Sequence, residues 1–161
     1  AFARGHDVLF TDVAGVLPAT RRNIELNGLA CGRPLDDPRA LDVLPFDWND
    51  PLPARVAALA PTLGTVVCSD CIFRSDAHVP LAKTLAALLH AAGAAAPDVL
   101  LSFQRRDDVD LLFFTHVLPY FGLGATRLDI AHHLDSLRWQ GVSNQNIRDH
   151  IFLYSIAPQP K

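Results

Sequence analysis

The feature that most constrains how this chain can fold is a regular alternation of short apolar runs with longer segments of helical spacing. The apolar runs are typical of buried strands and occupy residues 7–10, 40–46, 64–70 and 98–104. Each run is followed by a segment that predicts a helix: from Asp12 to a stop at Asn27-Gly28, then over 53–61, 78–93 and 108–122. Four such repeats predict an α/β protein with a mostly parallel sheet.

The end of the chain departs from this alternation. Residues 126–134 and 150–156 have the composition of two strands, and the segment between them carries Gly141 and two Asn residues, as a hairpin connection does. The pattern predicts an antiparallel pair at the edge of the sheet.

Size and charge limit the classes of protein to consider. The chain has 161 residues and a net charge of −3, which fits one domain over residues 1–161. A charge this small gives no reason to expect binding to nucleic acid or to an anionic membrane, and no apolar run is long enough to span a bilayer. Three cysteines are an odd number, which argues against a disulfide framework and favours a reducing compartment, the cytosol or the nucleus.

Candidate site residues follow the strands, because ligands of parallel α/β sheets bind beyond the carboxyl ends of the strands. Asp12 ends the first run, where an acid either accepts hydrogen bonds from ribose hydroxyls or caps the next helix. Trp48 follows the second run, where its indole either stacks on an adenine or covers the edge of the core. Asp70 follows Ser69 at the end of the third run and either orients an amine or a ligand, or caps a turn.

Two further patterns superficially suggest metal or redox chemistry. Cys68 and Cys71 have C-x-x-C spacing without a second cysteine pair, so we expect two small core residues instead. His132 and His133 would point to opposite faces of a strand and could not share a metal ion. We therefore expect no metal site. The charged segment 104–108 is typical of a solvated loop at the same rim as the other candidates.

Four segments, taken together, carry a resemblance to a known family. They are RGHDVLFTDVAGVLPATRRNIELN, LPFDWND, VCSDCIF and RRDDVDLLFF, in this order along the chain. In their order and spacing the sequence resembles the seven-strand, class I S-adenosylmethionine-dependent methyltransferases. It is most similar to the protein-lysine methyltransferases of family 16, the methyltransferase-like 21 group, and the likeness covers nearly the whole chain.

The resemblance implies a fold, a reaction and a set of site residues. The fold would be Rossmann-like, a mostly parallel sheet with helices on both faces and a C-terminal antiparallel hairpin. The reaction would transfer a methyl group from S-adenosyl-L-methionine to a lysine amine of a protein. Asp12 would bind the cofactor ribose, Trp48 would contact the adenine, and Ser69 would line the cofactor pocket. Asp70 would be the acid beside the target lysine, and Phe73 would form an aromatic wall where the family has Tyr.

The sequence departs from the family pattern at its start. The family opens with a strand and a glycine-rich loop around the methionine end of the cofactor, and nothing in this chain matches them. We therefore expect an N-terminally incomplete domain whose sheet is missing its first, central strand. The absence of any Met, even at position 1, agrees with this expectation.

Two alternatives to the methyltransferase remain open. The missing loop and Phe73 suggest a non-catalytic, methyltransferase-like remnant that binds a protein partner. A nicotinamide-dependent oxidoreductase would also use an acid at Asp12 for its ribose, although its fingerprint glycines are missing and the two final strands fit it poorly. For the methyltransferase we expect a monomer in the cytoplasm, and also in the nucleus, whose partner is a lysine-containing protein substrate.

Overall fold

The computed structural model describes residues 8–30, 41–130 and 151–160. The chain divides into two compact units, Ala1–Asp50 and Pro51–Lys161. That residues 1–161 act as one methyltransferase-like domain stays a prediction. Within the described ranges, no helix is both long and apolar enough to cross a membrane.

Over residues 8–30 and 41–50, the first unit contains a parallel pair of strands and one helix. Strand β1 (Val8–Asp12) pairs with strand β2 (Leu41–Pro45), and Asp12 lies opposite Pro45 at the carboxyl end of the pair. The connection between these strands includes helix α1 (Leu17–Ala30). Parallel strands need such a crossover, because a short turn cannot return the chain to the same end of the sheet.

Helix α1 continues beyond its predicted end. The helix runs to Ala30, so the predicted stop at Asn27-Gly28 was wrong. The Asn27 amide donates a hydrogen bond to the carbonyl oxygen of Asn23 at 2.7 Å, which makes Asn27 an interior helix residue instead of a cap. An interior glycine costs only about 1 kcal/mol relative to alanine, and the surrounding helix offsets that cost.

In the described part of the second unit, four strands form one sheet, and one of the four runs in the opposite direction. Its order is β3–β4–β6–β5, formed by Thr65–Ser69, Asp98–Gln104, Ile151–Pro158 and Leu123–Leu128 respectively. β3 and β4 are parallel, and β6 is antiparallel to both β4 and β5. β3, β4 and β5 therefore share one direction.

The predicted α/β class, with parallel strands and a C-terminal antiparallel pair, is confirmed by this arrangement. The pair formed by β6 and β5 lies at one edge of the sheet, as predicted, and β5 is the outer strand. One detail of the pair was wrong. The first strand of the pair begins at Leu123 instead of 126, and residues 131–134 of its predicted range lie outside the described residues.

In the second unit, helix α2 (Ala54–Leu59) precedes β3, and helix α3 (His78–Ala92) joins β3 to β4. The predicted helix over 78–93 is confirmed, and one face of α3 is buried through Leu81, Ala82, Leu85, Leu88, Leu89 and Ala92. This spacing of three and four residues is the period of a helix with one apolar face. α3 ends at Gly93, whose φ of 60° is the left-handed conformation expected of a glycine stop.

The helix after β4, α4 (109–120), consists of Val109–Leu112, a π-helical turn over Phe113–Val117, and Leu118–Tyr120. The N–H of Leu118 donates to the carbonyl oxygen of Phe113, five residues earlier, and both side chains are fully buried. Pro119 follows at once and has no N–H to continue the regular bonding pattern. The predicted stop at Gly122 is confirmed by its φ of 71°.

The core of the second unit lies on one face of β4 and β6. Val99, Leu101 and Phe103 alternate along β4 and are almost fully buried. Phe103 stacks on Phe152 of β6 with ring centroids 5.6 Å apart. Because β4 has partners on both sides, the end of this strand provides a rigid base for the residues that follow it.

Candidate functional site

Asp12 lies at the carboxyl end of β1 in the first unit and is exposed. Its Oδ1 accepts a hydrogen bond from the N–H of Val13 at 2.8 Å, whereas α1 begins only at Leu17. The alternative in which Asp12 caps α1 is therefore wrong. Among the residues that the structure describes, no partner is recorded for the other oxygen, Oδ2. That oxygen is free to accept hydrogen bonds from a ligand hydroxyl group.

Trp48 is half-buried and lies in the turn after β2. The turn is held by Asp47, whose Oδ1 accepts hydrogen bonds from the backbone N–H of Asn49 at 2.9 Å and from its side-chain amide at 2.8 Å. Both bonds lower the pKa of Asp47, and the bond from the backbone N–H has the larger effect. The carboxylate thus stays charged and keeps the turn closed.

Asp12 and Trp48 belong to the same end of the β1–β2 pair. The N–H of Phe46 donates to the carbonyl oxygen of Asp12 at 2.8 Å, and this bond extends the pairing beyond the end of β2. Phe46 is buried and fixes the start of the turn. A carboxylate with a free oxygen and a half-exposed indole therefore lie at one rim, which suits the ribose and the base of a nucleoside.

Asp70 follows β3 in the second unit and is held in an unusual backbone conformation. Its φ is 55°, in the left-handed region. Its N–H donates to the carbonyl oxygen of Ser102 at 2.7 Å, so the residue is tied to β4 directly beyond the last pair of the ladder, Ser69 opposite Ser102. Ser69 itself is exposed at the same end of the strand. A strained residue between a strand and a loop is a feature that active sites often carry.

Arg106 holds the carboxylate of Asp70 by two parallel hydrogen bonds. Its Nη1 lies 2.9 Å from Oδ1 and its Nη2 lies 2.7 Å from Oδ2. The Arg106 guanidinium is the main cause of a lowered pKa of Asp70. About half of each side chain is exposed, 42% for Arg106 and 49% for Asp70, so the pair can be reached from solvent. We expect it to add only about 0–1 kcal/mol to stability, because water competes for both charges.

Sequence analysis missed Arg106. It lies in the segment 104–108 that was interpreted as a solvated loop, and 36 residues separate it from Asp70. The available signal was its position after β4, the strand that pairs with β3. Carboxyl ends of neighbouring parallel strands meet at one rim, so charges that follow β3 and β4 were candidates for a pair.

Asp110 fixes the turn that carries Arg106. Only 7% of Asp110 is exposed. Its Oδ2 accepts hydrogen bonds from the backbone N–H groups of Arg106 at 2.9 Å and of Asp107 at 3.2 Å. In the same turn, Arg105 forms an ion pair with Asp108. The backbone that presents the Arg106 guanidinium is thus held by a buried acceptor, which limits the orientations it can adopt.

Phe73 lies in the loop between β3 and α3 and is 53% exposed. The loop is anchored next to it, because Ile72 is fully buried and its carbonyl oxygen accepts a hydrogen bond from Nε2 of His78 at 3.2 Å. His78 is buried at the start of α3 and packs edge-on against the ring of Phe113, at 5.5 Å between centroids. An exposed aromatic ring beside an anchored backbone can form a wall for a ligand.

Of the two cysteines predicted to be small core residues, Cys68 is confirmed as one and Cys71 is not. Cys68 is buried in β3, whereas Cys71 is half-buried in the loop after it, where its thiol donates to the carbonyl oxygen of Ser69 at 3.5 Å. The pKa of the Cys68 thiol is raised well above its usual range. The main cause is the hydrogen bond with the Cys71 side chain, and the second is burial. A thiol that resists ionisation is a poor nucleophile and a poor metal ligand. No cluster of three or more metal-binding side chains occurs within residues 8–30, 41–130 and 151–160. His132 and His133 lie outside those ranges.

The structure thus brings the predicted residues together in two groups. In the first unit, Asp12 and Trp48 lie at one end of a strand pair. In the second unit, Ser69, Asp70 and Phe73 lie along one strand end and the loop after it, with Arg106 joined to Asp70.

Comparison with known proteins shows what the whole chain is similar to. The model of the family described as lysine methyltransferase matches residues 1–119. The protein-lysine N-methyltransferase EFM6 of Saccharomyces cerevisiae is 29% identical to this chain over 127 residues, which are 74% of this chain and 47% of that protein. The chain therefore spans about half the length of this curated relative.

Proposed function

This chain belongs to the lysine methyltransferase family, and on that premise we propose that it takes part in S-adenosyl-L-methionine-dependent methylation of a lysine in a protein substrate. The observation that carries the proposal is the family match, which includes every candidate site residue described above. The nicotinamide-dependent oxidoreductase gains no support from that match. The protein would be a monomer of the cytoplasm or the nucleus, and the odd number of cysteines in the sequence is typical of such a reducing compartment.

The residues of the first unit fit the nucleoside part of the cofactor. Asp12 would hold the ribose, because its unpartnered oxygen can accept hydrogen bonds from two neighbouring hydroxyl groups. Trp48 would stack on the adenine, an interaction worth about 1–3 kcal/mol for an aromatic residue against a base. In the second unit, Ser69 would line the pocket. The bound cofactor would supply an electrophilic methyl group on a sulfonium.

The residues of the second unit fit the acceptor amine. Asp70 would orient the amine by accepting one of its N–H groups, because a carboxylate has about four lone-pair sites and the two bonds from Arg106 leave others free. Phe73 would form one wall of the channel for the four-carbon lysine stem. Such a wall also reduces hydration of the amine, which favours its neutral form.

The first experiment tests cofactor binding. We expect calorimetry to detect binding of S-adenosyl-L-methionine to the purified protein, and substitution Asp12→Ala to abolish it, because the ribose would lose its acceptor. The matched control is Glu25→Gln, which removes an acid from α1 in the same unit and disturbs only an exposed pair with Arg22. Unchanged affinity in the Asp12→Ala protein would refute the ribose assignment.

The second experiment tests the reaction. An array of lysine-containing peptides is incubated with the protein and with cofactor that carries a labelled methyl group. We expect label on peptides with a free lysine, and none on the same peptides with each lysine replaced by Arg. Asp70→Asn should reduce labelling strongly and leave cofactor affinity intact, because Asp70 would contact only the acceptor. An array without any labelled lysine would contradict the proposal.

A further inference from the structure

The two-point contact between Arg106 and Asp70 raises a question about charge at the acceptor site. A carboxylate beside an amine stabilises the protonated ammonium form, since opposite charges attract. An ammonium nitrogen has no lone pair and cannot accept a methyl group. An isolated Asp70 would therefore bind lysine in its unreactive form.

Arg106 changes this balance. It lies 2.9 and 2.7 Å from the two carboxylate oxygens, so the pair as a whole presents no net charge to a ligand. The Nη1 atom of Arg106 also donates to the carbonyl oxygen of Gln104 at 3.2 Å, which fixes the guanidinium on the end of β4. The oxygens of Asp70 can still accept an N–H, but they no longer favour an added positive charge.

Other charged groups of this turn act less directly on Asp70. The charges that bear on Arg106 are those of Asp70 and of Asp110, and the carboxylate of Asp110 faces the backbone N–H groups of Arg106 and Asp107. Arg105 is neutralised by Asp108 in its own pair. For Asp70 itself, the charged partner that the structure records is Arg106.

We propose that Arg106 is a positioning residue that cancels the charge of Asp70, so that the site accepts lysine as the neutral amine. This inference rests on the proposed function for the identity of the ligand. It assigns to Arg106 the control of which protonation state is bound, beyond holding the carboxylate in place.

The test uses n-butylamine as a probe for the lysine side chain, with no cofactor present. Binding is followed by the chemical shift of the Asp70 carboxyl carbon at a series of pH values below the pKa of the amine. In the unsubstituted protein the affinity should rise about tenfold per pH unit, in step with the neutral fraction of the amine. In Arg106→Gln the affinity should be independent of pH, because the lone carboxylate would bind the ammonium form.

Two further variants separate charge from geometry. Arg106→Lys keeps the positive charge without the two-point contact and should keep the pH dependence of the unsubstituted protein. Arg105→Gln, the matched control, removes a neighbouring positive charge that does not bond Asp70 and should also keep it. Urea denaturation checks that each variant is folded. If Arg106→Gln is unfolded, Arg106→Lys is compared with Arg105→Gln instead. Loss of the pH dependence in Arg106→Lys would then overturn the inference, because that variant keeps the positive charge beside Asp70.

The outcomes also distinguish this inference from the proposed function. The same pH dependence in folded Arg106→Gln and in the unsubstituted protein would overturn the inference, as would the absence of butylamine binding at every pH. Either result would leave the peptide array free to support methylation. Conversely, the expected pH dependence together with an unlabelled array would support the amine site and refute the methyltransferase.

Discussion

Asp70 occupies a backbone conformation that most residues avoid. A left-handed φ such as its 55° costs an ordinary side chain about 1–2 kcal/mol, although Asp and Asn tolerate it better than most. Its half-exposed pair with Arg106 returns only about 0–1 kcal/mol. Stability therefore gives little reason for this residue at this position, which agrees with a role in the acceptor site.

The first prediction concerns the pH dependence of stability. The pKa of Asp70 is lowered in the folded protein, so its pair with Arg106 contributes fully above the unfolded pKa, about 3.9, and is lost as the pH falls through the lower folded value. Asp70→Asn should therefore cost at most about 1 kcal/mol in the free energy of unfolding at neutral pH. The difference between the two proteins should shrink as the pH falls below about 4.

Urea denaturation of both proteins across this pH range measures the difference. Asn is the informative replacement because it tolerates the left-handed conformation and keeps the size of the side chain, so the variant loses the charge and one of the two oxygens that accept from Arg106. A difference that stays constant down to the acid limit would show that the ion pair does not carry the effect.

At the scale of elements, the sequence predicted what depends on local pattern. The strand over Asp98–Gln104 and the helix over His78–Ala92 were predicted, because apolar periodicity and a following glycine define them locally. The π-helical turn over Phe113–Val117 was not predicted, since it depends on how Phe113 and Leu118 pack together in the core. The position of β6 between β4 and β5 was also missed, because strand order is a property of the whole sheet.

The loop between β3 and α3 offers an element-scale prediction. Its anchor is the hydrogen bond from His78 to the carbonyl oxygen of Ile72. His78→Leu should cost about 1–3 kcal/mol in unfolding free energy, because a buried carbonyl oxygen is left without a partner. His78→Gln can still donate to that oxygen and should cost less.

Chemical denaturation measures the free energy of unfolding of the two His78 variants and ranks them. Hydrogen exchange of the amides over 70–77 should also be faster in His78→Leu than in His78→Gln. Equal stability of the two variants would show that the packing of His78 on Phe113 matters and that its hydrogen bond does not.

At the scale of the whole molecule, the candidate residues are distributed over two units, and this limits what sequence could predict. Asp12 and Asp70 were found because each directly follows an apolar run, a local signal. The Asp70–Arg106 pair was missed because it joins residues from two different strand ends. That one oxygen of Asp12 has no partner among the described residues could not be predicted either, since capping and ligand binding leave the same sequence signal.

The last prediction concerns how stability is distributed over the chain. β4 and β6 have partners on both sides, whereas β1 and β2 pair only with each other among the described residues, and a two-stranded sheet has little stability of its own. Without ligand, we expect hydrogen exchange to be fastest in β1 and β2 and slowest in β4 and β6.

Cofactor at about 100 times its Kd should add about 2.7 kcal/mol of stability to the states it binds. If Asp12 and Trp48 hold it, exchange should slow most over 8–16 and 45–50, and Asp12→Ala should remove that effect. Equal slowing of exchange in every strand, or the same slowing in Asp12→Ala, would show that the cofactor is not held by the first unit.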